Sequence, residues 1–270
     1  MTVAKFVRRA LLFAAVSMLS TSWSPAQNRT TAAKPATATP VNLAITVYSI
    51  KPDMVPQWEQ FIKEDANPVL QKAGLEGSIW QNGILGQGDR YTAVRQMTNF
   101  ATLDEPNPFV KALGQEAANK LFAKGSMMFA SAPVTTVLKL RDEMSFPKEM
   151  GEQHRRLAVV NHIKVVPGRV ADFERILLND VVPAMHKADV NGYQVFETLV
   201  GADPNEFHTV TYYNRYADFD KDAPLVRAMG QEGYKKFMAK TTGIVRSMDR
   251  EVVRYRQDLS NEGITQRAAR

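Results

Sequence analysis

Apolar and polar positions change period along this chain in a fixed order, and the order is run through twice. In the second pass, Leu157 to Val166 is rich in β-branched residues and ends at the turn pair Pro167-Gly168, which predicts a strand. Arg169 to Lys187 then places Val170, Phe173, Ile176, Leu177, Val181 and Met185 on one helical face. Pro183 is expected to close or bend the last turn of that helix. Gly192 to Val200 predicts a strand, Gly201 to Asn205 a turn, and Phe207 to Tyr216 the answering strand. Pro224 follows Asp218, Asp220 and Asp222 and suits a first helical turn. The helix it opens carries Leu225, Val226, Met229, Tyr234, Phe237 and Met238, and Glu251 to Tyr255 makes a last short strand.

The first pass repeats these elements and, in places, the residues. Ala112 to Gly125 returns as Ala228 to Thr241 with seven of fourteen positions identical. A period above one hundred residues means a repeated domain rather than a solenoid unit. Further pairs are Pro52 with Pro167, Trp58-Glu59 with Phe173-Glu174, Gly77 with Gly192, Gly86 with Gly201, Pro108 with Pro224, and Asp142 with Asp258. The one-residue change in spacing is expected in the hairpin loop, Gln87 to Arg90 against Ala202 to Glu206. Each copy thus reads βαββαβ, a ferredoxin-like unit. Its open sheet face needs a partner, and the other copy is the nearest one. The expectation is an α+β chain of two tandem ferredoxin-like domains, residues 42–146 and 155–260, closed into an intrachain pseudo-dimeric α/β barrel. A linker spans 147–154 and a tail 261–270.

The first residues belong to neither copy. Lys5, Arg8 and Arg9 precede an apolar run, Ala10 to Leu19, and then Ser24-Pro25-Ala26, the layout of a cleaved secretory signal (1–26). A spacer of Thr, Ala, Pro and Lys (27–41) has too few large apolar groups to order itself. A secreted or periplasmic location is expected. Removing Lys5, Arg8 and Arg9 takes the net charge from +6 to +3. No basic block then points to nucleic acid or to a membrane. The absence of Cys excludes disulfides and thiolate chemistry.

Pro167 to Glu174, Val182-Pro183, Gly192-Tyr193, Phe196 to Thr198, Gly201 and His208 to Asn214 resemble the dimeric α/β barrel superfamily, nearest to its NIPSNAP-like and antibiotic-biosynthesis-monooxygenase-like domains. The resemblance covers both copies. It implies two sheets facing each other across a shared barrel, in a superfamily that includes cofactor-free oxygenases, haem-handling enzymes, isomerases and proteins without known activity.

Chemistry-bearing residues fall unevenly between the copies. All four histidines, His154, His162, His186 and His208, lie in or just before copy two. His162 and His208 sit on strands that are neighbours in the ferredoxin-like order, where two imidazoles can ligate an ion, grip a haem iron or simply be hydrogen-bonded. No metal-binding spacing motif accompanies them, and no metal is expected. Asn161 and His162 with Glu197 and Tyr212 resemble the Asn, His and Trp of haem-degrading relatives. There, however, the His belongs on a helix, and copy two has no Trp. A cofactor-free oxygenase would use His162 or His208 as base and Asn161 or Tyr212 as donor. Copy one offers Tyr48, Trp80 and Arg95, for stacking and for holding an anion, or as core and rim residues.

The shared Gly114-Gln115 and Gly230-Gln231 are expected to serve inter-repeat packing, through close helix-to-sheet approach or a Gln bonded to a backbone edge. The functional expectation is binding, and turnover by oxidation or isomerisation, of a small apolar or aromatic molecule. The alternatives are a non-catalytic interaction module, open to further homo-oligomerisation, and a haem protein using His162 or His208.

Overall fold

The computed structural model describes residues 42–82, 85, 88–97, 99–146 and 156–261. The expected signal peptide, spacer and linker, with Gly86 and His154, lie outside the described residues, as does the expected tail beyond Asn261. Eight antiparallel strands form a closed barrel in the order β1-β3-β2-β8-β5-β7-β6-β4. The strands are β1 (Asn42–Ser49), β2 (Ser78–Asn82), β3 (Arg90–Met97), β4 (Val134–Leu140), β5 (Leu157–Val165), β6 (Tyr193–Val200), β7 (Glu206–Tyr213) and β8 (Val245–Tyr255). Within this ring β4-β1-β3-β2 and β8-β5-β7-β6 have the same order, so the predicted βαββαβ order is present in each half. The halves join through β2–β8 and β4–β6, which leaves no sheet edge open.

Helices cover the outside. The first helical segment of each half is α1 (Val55–Phe61) with α2 (Asn67–Lys72), and α5 (Val170–Ile176) with α6 (Val182–Lys187). In both, a π-turn intervenes, at Ile62–Ala66 and Leu177–Val181. It sits just ahead of Pro68 and Pro183, whose rings cannot accept an ordinary preceding turn. Pro183 therefore stands at the start of α6, where the sequence reading puts it near a helix end. The second segments are α3 (Pro108–Leu113) with α4 (Gln115–Ser126), and α7 (Pro224–Thr241).

Gly114 and Gly230 break these segments with φ of +81° and +71°. Nothing lies within 4 Å of where a Cβ would sit on either. The close approach expected there is absent; left-handed backbone is the reason for glycine. Gln115 and Gln231 are solvent-exposed rather than bonded between halves, and Gln115 donates to Asn119 on its own helix at 2.9 Å.

Helix-side cores and lumen are distinct. Ile163, Val165, Phe173, Leu177, Val195 and Phe207 pack under the helices of the second half, and Trp58, Phe61, Ile79 and Tyr91 under those of the first. The lumen holds Trp80, Ala158, Tyr212 and Val253, with Leu138, Leu140 and Phe196 beside them.

The halves also exchange short C-terminal turns. After β4, Met144 is fully buried in the core of the second half; after β8, Leu259 is fully buried in that of the first. Ser145 Oγ accepts from Val195 N at 3.0 Å, and Ser260 Oγ accepts from Ile79 N at 2.9 Å. Arg141 donates to Glu143 (2.7 Å) and Glu197 (2.8 Å) and pairs with Glu174. Arg256 donates to Asp258 (2.8 Å), Gln81 (2.8 Å) and Glu59 (2.7 Å). Glu143 thus matches Asp258, one residue away from the expected Asp142–Asp258 pair.

The spacing change is also relocated. Trp80 faces Thr92 as Phe196 faces His208, so it falls before β2 and not in the hairpin.

Candidate functional site

Strand register fixes which side chains enter the lumen. Ile45 opposes Val94, and Val160 opposes Val210. Two residues further along, Val47 and Thr92 of the first half match His162 and His208 of the second. Arg90 likewise matches Glu206, Asn82 matches Thr198, and Thr136 matches Glu251. Because β1 and β5 run in the same direction, all these positions gather at one end of the barrel, here called the upper end.

The second half's side of that end is a connected polar cluster. His162 Nδ1 and His208 Nδ1 lie 3.0 Å apart. His162 Nε2 is 3.0 Å from Glu251 Oε1, and His208 Nε2 is 3.2 Å from Thr198 Oγ1. Asn82 Nδ2 donates to Glu251 Oε2 at 2.6 Å, while Arg90 pairs with the same oxygen at 3.6 Å. Glu206 Oε1 stands 3.7 Å from His162 Nδ1. Asn82 is 3 % exposed, and its Oδ1 has no partner among the described residues.

Burial, then the neighbouring His162, holds the His208 pKa down at about 4, with Glu251 opposing. His208 is therefore neutral at physiological pH. Burial alone would push the Glu251 carboxyl up, but its bonds from His162 and Asn82 and the charge of Arg90 keep it below the usual range.

Below this cluster aromatic side chains pack inside the lumen. Trp80 meets Tyr255 with ring centroids 5.3 Å apart, and the Tyr212 hydroxyl donates to Gln194 Oε1 at 2.7 Å. An eight-strand barrel has room for its own side chains or one small ligand. The polar end is thus where the lumen meets solvent: His162 and Glu251 side chains are 28 % and 17 % exposed.

The expected pocket residues divide by strand parity. His162 and His208 come together at the upper end, and Trp80 and Tyr212 lie lower in the same lumen. Asn161 is on the outer face, donating to Thr209 Oγ1 at 2.9 Å and accepting from Arg250 at 2.7 Å. Glu197 is also outside, paired with Arg141 and Lys139. Tyr48 packs between Trp58 and Phe129 under the first-half helices, and Arg95 shares that face of the sheet. Asn161, Glu197, Tyr48 and Arg95 therefore line no site with the histidines. Sequence reasoning missed Glu206, Thr198, Glu251, Asn82 and Arg90. Glu206 was within reach, two residues from His208 and so on its face, and Thr198 and Glu251 sit on strands paired with β7 and β5 within the same half; Asn82 and Arg90 needed the barrel's closure. A broad open depression lined by Glu59, Gln81, Arg254 and Arg256 lies elsewhere, over the Arg256 turn, where the charged groups already pair with one another.

In donor chemistry, imidazole is what a haem iron takes, so haem remains compatible with this residue set. In geometry, both histidines have both ring nitrogens engaged and converge on each other, which suits a bare ion better than one axial ligand over a flat ring.

No family model matches the chain, and no curated protein does. Solved structures do. An anthrone oxidase-like protein superposes with a TM-score of 0.56 at 9 % identity, over 81 % of this chain and 92 % of its own. The fold is the dimeric α/β barrel. A monooxygenase candidate from Fusobacterium nucleatum matches this barrel with a TM-score of 0.54 at 13 % identity, over 81 % of this chain and 94 % of its own. A chlorite dismutase variant from Candidatus Nitrospira defluvii gives 0.51 at 12 %, over 81 % and 92 %. Among the described residues, no helix of this dimeric α/β barrel is long and apolar enough to cross a membrane.

Proposed function

We propose that the chain binds a small, largely apolar or aromatic molecule at the upper end of the barrel and acts on it there by oxidation or isomerisation. What carries this reading is the inequality of matched positions. Where one half has Val47, Thr92 and Thr136, the other has His162, His208 and Glu251. The barrel closes equally well with either set, so stability gives no reason to bury imidazoles and carboxylates, each of which costs free energy to dehydrate. Reaction or recognition is the remaining reason, and barrels named for oxygen chemistry share the fold.

Native mass spectrometry of the full protein from its own host tests this. A small-molecule adduct is expected on the wild type and absent from His162→Ala and Glu251→Gln. Wild type without any adduct, together with unchanged partner binding in those variants, would favour a non-catalytic interaction module instead. Titration with haemin addresses the porphyrin alternative: a Soret shift lost in His162→Ala and His208→Ala would turn the assignment to haem.

The same reading takes the two βαββαβ halves as a duplication and the chain as exported. The repeated Gly-Gln-Glu and the basic-then-apolar N-terminus support it. N-terminal sequencing of the protein from a periplasmic or culture fraction should begin near Gln27; an intact Met1 there would overturn export by cleavage.

A further inference from the structure

Four observations at the upper end of the lumen concern one point in space. First, ligand-type atoms of His162, His208 and Glu206 lie within 4.8 Å of one another. The Nδ1 atoms are 3.0 Å apart and Glu206 Oε1 is 3.7 Å from the first of them. Donors bound about 2.1 Å from one tetrahedral ion stand about 3.4 Å apart, a value that these two separations bracket.

Second, the outer nitrogens are already held. Glu251 Oε1 stands 3.0 Å from His162 Nε2, which leaves Nδ1 of that ring turned toward His208. Thr198 Oγ can accept from His208 Nε2. A carboxylate or hydroxyl behind each imidazole is what fixes the tautomer and ring orientation of metal-bound histidine. Third, the Glu206 side chain is only 10 % exposed, and its Oε1 stands 3.7 Å from His162 Nδ1, beyond hydrogen-bond range. Two Nδ1 atoms and a buried carboxylate oxygen thus converge on one small space, the arrangement a cation would fill. Fourth, the buried Asn82 Oδ1 in this cluster still needs a hydrogen, which an ion-bound water or ligand can supply.

We propose that the upper lumen is a mononuclear transition-metal site. His162 Nδ1, His208 Nδ1 and a Glu206 carboxylate oxygen are its three protein ligands. The remaining positions open toward the barrel mouth. Two imidazoles and one carboxylate suit Zn²⁺, Fe²⁺, Mn²⁺ or Co²⁺ rather than Mg²⁺ or Ca²⁺. The open positions suit an oxygen of the bound molecule, a phenolate, enolate or carboxylate, which the ion would polarise. The inference rests on the lumen reading above and adds to it the ion and the oxygen-bearing substrate class.

Cobalt(II) is the probe, titrated into full-length protein without a polyhistidine tag and followed by calorimetry and visible absorption. One Co²⁺ per chain is expected, displaced by Zn²⁺. His162→Ala, His208→Ala and Glu206→Gln should each weaken binding at least tenfold. Glu251→Gln, which alters the partner of His162 Nε2 rather than a ligand atom, should weaken it by about 10–100-fold. His186→Ala should leave binding unchanged. Glu206→Gln keeps size and shape, so its circular dichroism spectrum should match the wild type. A wild type that takes up no Co²⁺ saturably, or ligand variants that bind as well as it does, overturns the proposal. If the wild type carries its small-molecule adduct yet takes no cation, the metal site falls while the lumen reading stands.

Discussion

Gly201 shows how a single residue holds the upper rim in shape. It lies at φ +96°, and a Cβ there would come within 2.5 Å of Thr135 O on the neighbouring strand. Gly201→Ala is therefore expected to cost on the order of 1–3 kcal/mol, seen as a lower urea midpoint with unchanged slope. At the same scale, the matched half offers a natural control. His162→Val, His208→Thr and Glu251→Thr together install what Val47, Thr92 and Thr136 already provide. Stability should stay within about 1 kcal/mol of wild type or rise, because the interacting imidazoles and carboxylate are removed as a set rather than one partner at a time; adduct and Co²⁺ should both vanish. A large loss of thermal stability would mean that the cluster is structural.

Residue scale is also where legibility was poorest. His162 and His208 stood out by type and by strand adjacency. Asn161 could not be told from His162, because neighbours on a strand face opposite ways and the register is set elsewhere. Glu251 reaches His162 because β8 pairs with β5 within the second half, and Asn82 reaches Glu251 because β8 also lies beside β2, a closure that no local pattern encodes.

Among elements, the exchanged turns dominate. Leu259 is fully buried in the opposite half's core, so Leu259→Ala should cost about 2–5 kcal/mol in denaturant unfolding. Bonds from Arg256 hold the Glu59 and Asp258 carboxyls below their usual ranges, helped at Asp258 by Lys63 and at Glu59 by the Tyr91 hydroxyl. Carboxyls depressed in the folded state stabilise it above their unfolded pKa values, about 4, and that contribution is lost as pH falls further. Acid titration of stability should therefore steepen below that point, and Glu59→Gln should flatten it. An unaltered acid limb in that variant would remove the turn from the account. The helical segments were legible through their apolar spacing and their prolines. The π-turns were not, since spacing at 3.6 hides one extra residue. The hairpin was assigned the spacing change for a similar reason: a shift of one is invisible until side-chain faces are known.

For the whole molecule, the fold was legible because strand, helix and turn signals agreed twice over and an open sheet needs a cover. Each half alone presents that open face and lacks the turn that plugs its core. Residues 42–146 expressed alone should therefore self-associate, appearing as a dimer or larger species in analytical ultracentrifugation. A stable monomer would show that the lumen face does not need covering.

Joining both halves in one polypeptide has a consequence for what the barrel can hold. Two separate identical subunits around this axis would set every mouth residue opposite its own duplicate, acid facing acid and imidazole facing imidazole. A continuous chain lifts that restriction. Arginine, asparagine and glutamate from different strands can then stand around one pair of histidines, where the matched positions are Val47 and Thr92. Turnover or uptake should accordingly saturate at one equivalent per barrel, where a symmetric pair of identical subunits would offer two.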